Sequence, residues 1–276
     1  MILQAKVAIK YCFITSLFIL NLEATPDSNY EKYGTAFFTS IAGDSASFKT
    51  KNTTHPIHLH DSIIIDSESL LTTGDCDYVF FKLSNNTTFG LFENTQFRIQ
   101  SFKQNPFENA DVGFDREPSN SYFRSFLTEG TIFVESNILS PISVFEINLP
   151  ECKLELYSVK CVISYQFNIL HIALYEGNIS LKKNDSITHI NAPTYYSNDN
   201  YSLKSSINTY ATKSPEMPTQ WDSFKEYISI ENNRVLFFPD ASSSQSAAKA
   251  KLVISEDFYH QKFTRPRSFK KLKYKD

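Results

Sequence analysis

The sequence predicts an all-β domain followed by a mostly irregular C-terminal extension with one short helix, and three observations carry that expectation. Aromatic residues make up 14% of the 276 positions, with 24 Phe and 15 Tyr, and Val, Ile and Thr stand between them, a composition suited to pleated, half-buried surfaces. From residue 30 to 190 the apolar residues fall in short runs separated by polar breaks, without sustained helical spacing. All seven glycines lie between Gly34 and Gly177. Because Gly serves turns and bulges that other residues enter with strain, the turn-rich β region is expected to end near residue 190.

The first 24 residues read as a secretory signal peptide. MILQAKVAIK places Lys6 and Lys10 before the apolar run YCFITSLFILNL, and LEA precedes Thr25-Pro26. A run of about a dozen apolar residues falls short of the roughly 20 that a spanning helix needs, so cleavage after Ala24 is expected, with no transmembrane helix in what remains. The expected location is periplasmic or extracellular.

Between residues 25 and 192 the strand candidates are GTAFFTSIAG, PIHLHDSIII, DYVFFKLS, TTFGLFENTQFRIQ, RSFLTEGTIFVES, SVFEINLP, KLELYSVKCVISYQF and LHIALYEGNISLK. SFKQNPFENADVGFDREPSNS lacks alternation, holds two prolines and reads as a long surface loop. Residues 193–276 open with a polar stretch rich in Asn, Ser, Thr and Pro, read as a linker. PTQWDSFKEYISIE then places Trp221, Phe224, Tyr227 and Ile228 at helical spacing, NNRVLFFPD adds a strand candidate, and ASSSQSAAKAK is low in complexity. KLVISEDFYHQKF suggests one more short element.

The net charge of −3 hides an asymmetry. Lys262, Arg265, Arg267, Lys270, Lys271, Lys273 and Lys275 stand against Asp276 alone in the last 16 residues, behind an acidic body. Such a tail suits anionic partners. No nucleic-acid recognition motif accompanies it, and a solvated terminus is the plainer reading. Cys76, Cys152 and Cys161 remain after signal cleavage, an odd number that allows at most one internal disulfide. Buried unpaired thiols are the expectation. N-glycosylation sequons stand at Asn52, Asn85, Asn86, Asn178, Asn184 and Asn200.

Leu-x-Glu-Gly before an alternating strand occurs twice, in FLTEGTIFVES and ALYEGNISLKK. Glu129 and Glu176 therefore pose a choice between an acid–base pair and a repeated strand corner, and the pattern favours the corner, since it supplies no cleft on which two carboxylates converge. The chain has no G-x-S-x-G elbow, no phosphate-cradling glycine motif and no cysteine in a protease context. No enzyme and no cofactor are expected. In HPIHLHD, His58 and His60 are two apart and would share one face of a strand near His55 and Asp61, the spacing of a metal site if a third ligand is supplied. The plainer alternative is that Ile57 and Leu59 face the core and the histidines face water.

The order of elements resembles the FecR-like domain of bacterial envelope proteins across residues 34–192. The residues that carry the resemblance are Leu71, Thr73 and Gly74, Val79 to Leu83 with Phe89 to Leu91, the Gly-led strand Gly130 to Val134, Phe145 to Pro150, and Glu176-Gly177 with Ile179 and Leu181. Lys160-Cys161 stands where the family usually writes Gly-Thr. The resemblance implies stacked short strands, solenoid-like or roll-like, with Gly where the chain enters a new strand. Better-known members relay signals from iron-siderophore transporters through a cytoplasmic segment and a membrane span, and only ten residues precede the apolar run here. The resemblance thus implies an exported binding or interaction module whose partner is a protein or an envelope polymer. A regulator acting through a separate membrane partner and a metal-binding β protein using His58 and His60 are the alternatives.

Overall fold

The computed structural model describes residues 32–51, 53–105, 116–198, 219–233, 235–238 and 249–252. The signal segment, most of the linker, residues 106–115 and the basic tail lie outside them.

Strands dominate, as expected. One 15-stranded sheet runs in the order β14-β13-β12-β11-β10-β8-β7-β2-β5. Its path comprises β2 (Thr35–Ala42), β5 (Ser62–Ile64), β7 (Tyr78–Leu83), β8 (Thr88–Leu91), β10 (Ser121–Glu135), β11 (Val144–Asn148), β12 (Lys153–Gln166), β13 (Ile169–Lys183) and β14 (Ser186–Asn191). Branching from the path are β1 (Lys32–Tyr33), β3 (Ser47–Thr50), β4 (Thr53–Pro56), β6 (Ser69–Thr72), β9 (Gln96–Gln104) and β15 (Thr194–Ser197). The pairings are antiparallel except β10 with β11, so the sheet is mixed. A helix, α1 (Thr219–Asn232), and a small hairpin of β16 (Val235–Phe238) and β17 (Lys249–Leu252) follow.

Three strands are long and change partners midway. The first half of β10 lies between β9 and β11, and from Gly130 onward it lies between β8 and β12. Likewise β13 pairs with β15 through His171–Leu174 and with β14 through Asn178–Lys183. The switch points are the two Leu-x-Glu-Gly motifs. Gly130 and Gly177 have φ of +105° and +81°, and a Cβ on Gly177 would lie 2.0 Å from the carbonyl oxygen of Ser158. On Gly130 it would lie 2.4 Å from the Thr95 Cα. Both positions therefore need a residue without a side chain. Ser158, at φ 49°, sits in the irregular register of β12 between Tyr157 and Lys160, so the close backbone approach falls just before Lys160-Cys161.

The strand period of two sorts side chains between two cores. Val79, Phe81, Leu83, Phe89, Ile132, Val134, Cys161, Ile163, Ile172 and Leu174 point into the main core, where Phe81, Phe89, Phe123 and Phe145 stack. Their alternates Phe80, Phe133, Val162, Ala173 and Tyr175 face the other way, under Trp221 and Ile228 of α1. Strands buried on both faces read as unbroken apolar runs, which explains DYVFFKLS and TIFV.

The structure corrects several expectations. PIHLHDSIII is not one strand: β4 ends at Pro56 and a turn separates it from β5. Ser101–Gln104 of the expected loop belong to β9, and Thr194–Ser197 of the expected linker form β15. The sheet needs these segments as partners, and pairing overrides their polar composition. The three cysteines are free, but only Cys161 is fully buried and Cys76 is exposed. Burial pushes the thiol of Cys161 up strongly and that of Cys152 up to about 11. Asn85 and Asn86 are buried in the folded chain, which closes those two sequons, whereas Asn178 and Asn184 are exposed.

Candidate functional site

The candidate surface lies where the sheet path ends. β5 has β2 on one side and no second strand among the described residues, and β4 pairs with β3 alone. Such free edges offer unpaired backbone groups to an incoming strand. Between them runs a groove of roughly 510 Å³, lined by Phe48 and Thr50 of β3, His55 and Pro56 of β4, His58 and Asp61 of the turn, and Ile63, Ile64 and Asp66. Phe48 is buried in the main core and Ile63 packs against it, so the floor is anchored, while Ile64 is 49% exposed.

The turn is closed by its own polar groups. The Asp61 carboxylate accepts from the His58 amide at 3.0 Å, and the Asp61 amide donates to the His58 carbonyl at 3.1 Å. His60, with φ +70°, stacks on Phe37 at 6.0 Å, and its amide donates to the Phe38 carbonyl. The shared-face premise for His58 and His60 therefore fails, because a turn does not alternate as a strand does. His58 lines the groove beside His55; His60 does not. Among the described residues no group of three or more His, Cys, Asp or Glu side chains is arranged to hold a metal ion.

Glu129 and Glu176 also part company. Glu129 is exposed and accepts from Gln96 Nε2 at 2.6 Å; Glu176 stands opposite Lys160 on the β12–β13 ladder. Asp66, Ile63 and Ile64 were not singled out in the sequence. Their signal was a three-residue strand bracketed by Asp61 and Asp66, the short charged-flank pattern of an edge.

A second polar site seats α1. Lys82, 1% exposed, donates from Nζ to the Asn232 carbonyl at the helix end. Burial lowers its pKa to about 7, against the opposing attraction of Glu135. Thr88 Oγ1 donates to Asn232 Oδ1 at 2.7 Å, and Asn232 Nδ2 donates to Asn137 at 3.0 Å. Ser229 donates to Glu135 at 2.7 Å, and Lys160 lies 3.4 Å from the same carboxylate. Ser40 and Tyr227 share a hydrogen bond at 3.0 Å. Each group finds its partner across the helix–sheet contact, which marks a structural seam.

These features define an all-β protein with a helix strapped to its outer face and an open groove along one sheet edge. No family model matches the chain, and no curated protein matches it. It is similar to two crystal structures, each described as a "putative anti-sigma factor" from Parabacteroides distasonis, both at 11% identity. One gives a TM-score of 0.37 over 47% of this chain and 54% of that chain; the other gives 0.34 over 46% and 53%. The chain thus spans about half the length of those proteins, and likeness at this level assigns no family.

Proposed function

We propose that the protein is an exported, non-enzymatic FecR-like interaction module that holds an extended protein segment along the β5 edge, in the periplasm or outside the cell. The observation that carries this reading is the groove itself. It joins a free strand edge, an anchored apolar floor of Phe48 and Ile63, and polar side chains at its rim. That combination suits strand addition, in which backbone pairing supplies affinity and side-chain pockets supply selectivity. The groove is open and its Asp61 carboxylate is engaged by the His58 amide, which fits holding a ligand better than transforming one.

A photoreactive residue at Ile64, introduced in the cell that makes the protein, tests the reading. Adducts with a defined protein are expected at Ile64 and not at Ile187, an exposed residue of β14 at the other end of the sheet. Identical adduct patterns at both positions, or none at Ile64, would overturn it.

A further inference from the structure

We propose that the β5 groove is also the docking site for a segment of this same chain, residues 268–275, SFKKLKYK, which lie outside the described structure. The inference rests on the groove being a binding surface and names an occupant for it.

Among the described residues the groove walls contribute two carboxylates, Asp61 and Asp66, two histidines, His55 and His58, and neither Lys nor Arg. Of the two basic residues beside these walls in sequence, Lys49 sits between Phe48 and Thr50, where strand alternation turns it to the opposite face, and Lys51 stands exposed in the turn that follows β3. The floor is apolar, formed by Phe48 and Ile63, with Ile64 exposed beside it. The segment offers the complement. From Lys271 it alternates Lys-Leu-Lys-Tyr-Lys, so an extended backbone would set Leu272 and Tyr274 on one face and three ammonium groups on the other. Leu272 and Tyr274 meet the floor, and long lysine stems let the charged ends reach back to the rim carboxylates.

Reach is sufficient. Leu252 ends the described structure, and the stretch from there to Ser268 spans up to about 50 Å when extended. A compact body of this size has a radius of gyration of about 17 Å and so a diameter of about 45 Å, within that reach. Tethering raises the effective concentration of the segment to about the millimolar range, so a weak strand addition is populated within one molecule. A foreign segment must then displace the tail.

Hydrogen–deuterium exchange on the full-length chain tests this. The outward-facing backbone amides of Ser62 and Ile64 are expected to exchange at least about tenfold faster in the variant Lys271→Glu/Lys273→Glu/Lys275→Glu than in the parent. The conservative variant Asp61→Asn/Asp66→Asn should show the same loss, and excess synthetic peptide of residues 261–276 should restore protection to the triple variant. Equal exchange in parent and triple variant overturns the proposal. Protection that disappears on dilution also overturns it, by assigning the segment to a second copy. Partner adducts at Ile64 that persist in the triple variant, together with equal exchange, would leave the binding surface standing and remove only this occupant.

Discussion

Phe167 occupies a backbone position that hairpins ordinarily give to Asn or Gly. It is 94% exposed and has φ 51°, with Asn168 beside it at 62°. Gln166 pairs with Ile169, so the loop has two residues, both left-handed as a type I′ turn requires. A bulky side chain there carries strain of about 1–2 kcal/mol that no burial offsets. Phe167→Asn is expected to raise stability by about 0.5–1 kcal/mol, read as a higher midpoint in urea. A lower midpoint would mean that the ring packs within the fold. This residue also shows what the sequence conceals: LHIALY and YQF declare two strands, but nothing in their order says that a phenylalanine, rather than the neighbouring asparagine alone, takes the turn.

At the scale of elements, the repeated Leu-x-Glu-Gly separates by residue into what the fold needs and what it does not. Gly177 lies 81° into positive φ with a carbonyl oxygen where its Cβ would be, whereas Glu176 is exposed. Gly177→Ala is expected to cost at least about 2 kcal/mol in chemical denaturation, because backbone rather than a movable side chain must give way. Glu176→Ala should stay within about 0.5 kcal/mol. Equal costs would return the motif to the glutamates. The strand positions were legible because period-two alternation and aromatic runs survive any topology. The HLHD turn and β15 are not legible in the same way because they depend on distant partners: Asp61 closes on His58 while its carbonyl accepts from Phe38, and β15 exists through β13. The groove is half visible in the sequence, since HPIHLHD carries its histidines while the floor beneath comes from β3 and β5.

For the whole molecule, the seam under α1 sets how stability depends on pH. Lys82 ionises with a pKa near 7 when folded and 10.5 in a free chain. Between those values the unfolded chain binds the proton more tightly, so stability from this group is complete above about pH 10.5 and declines as pH falls toward 7. Below 7 the cost is constant. Relative to Lys82→Met, the parent is expected to gain stability steadily from pH 7 to 10, with the difference flat from pH 5 to 6.5, measured by urea unfolding across pH. A parent curve parallel to the variant's throughout would contradict a buried, proton-poor lysine. The sequence carries no such signature, since DYVFFKLS reads only as a strand candidate. Only the return of a helix from far along the chain gives Lys82 its carbonyl and its desolvation.

That distance has a consequence for how the protein is made. The stripe of Phe80, Phe133, Val162 and Tyr175 is completed by β13, yet its cover begins only at Thr219. As the polypeptide emerges from its N-terminal end, the sheet assembles with one oily flank bare and must wait for the helix to arrive. Any event that halts synthesis or clips the chain within that interval leaves a nearly complete sheet that is sticky on its back, and so inclined to clump or to be cleared.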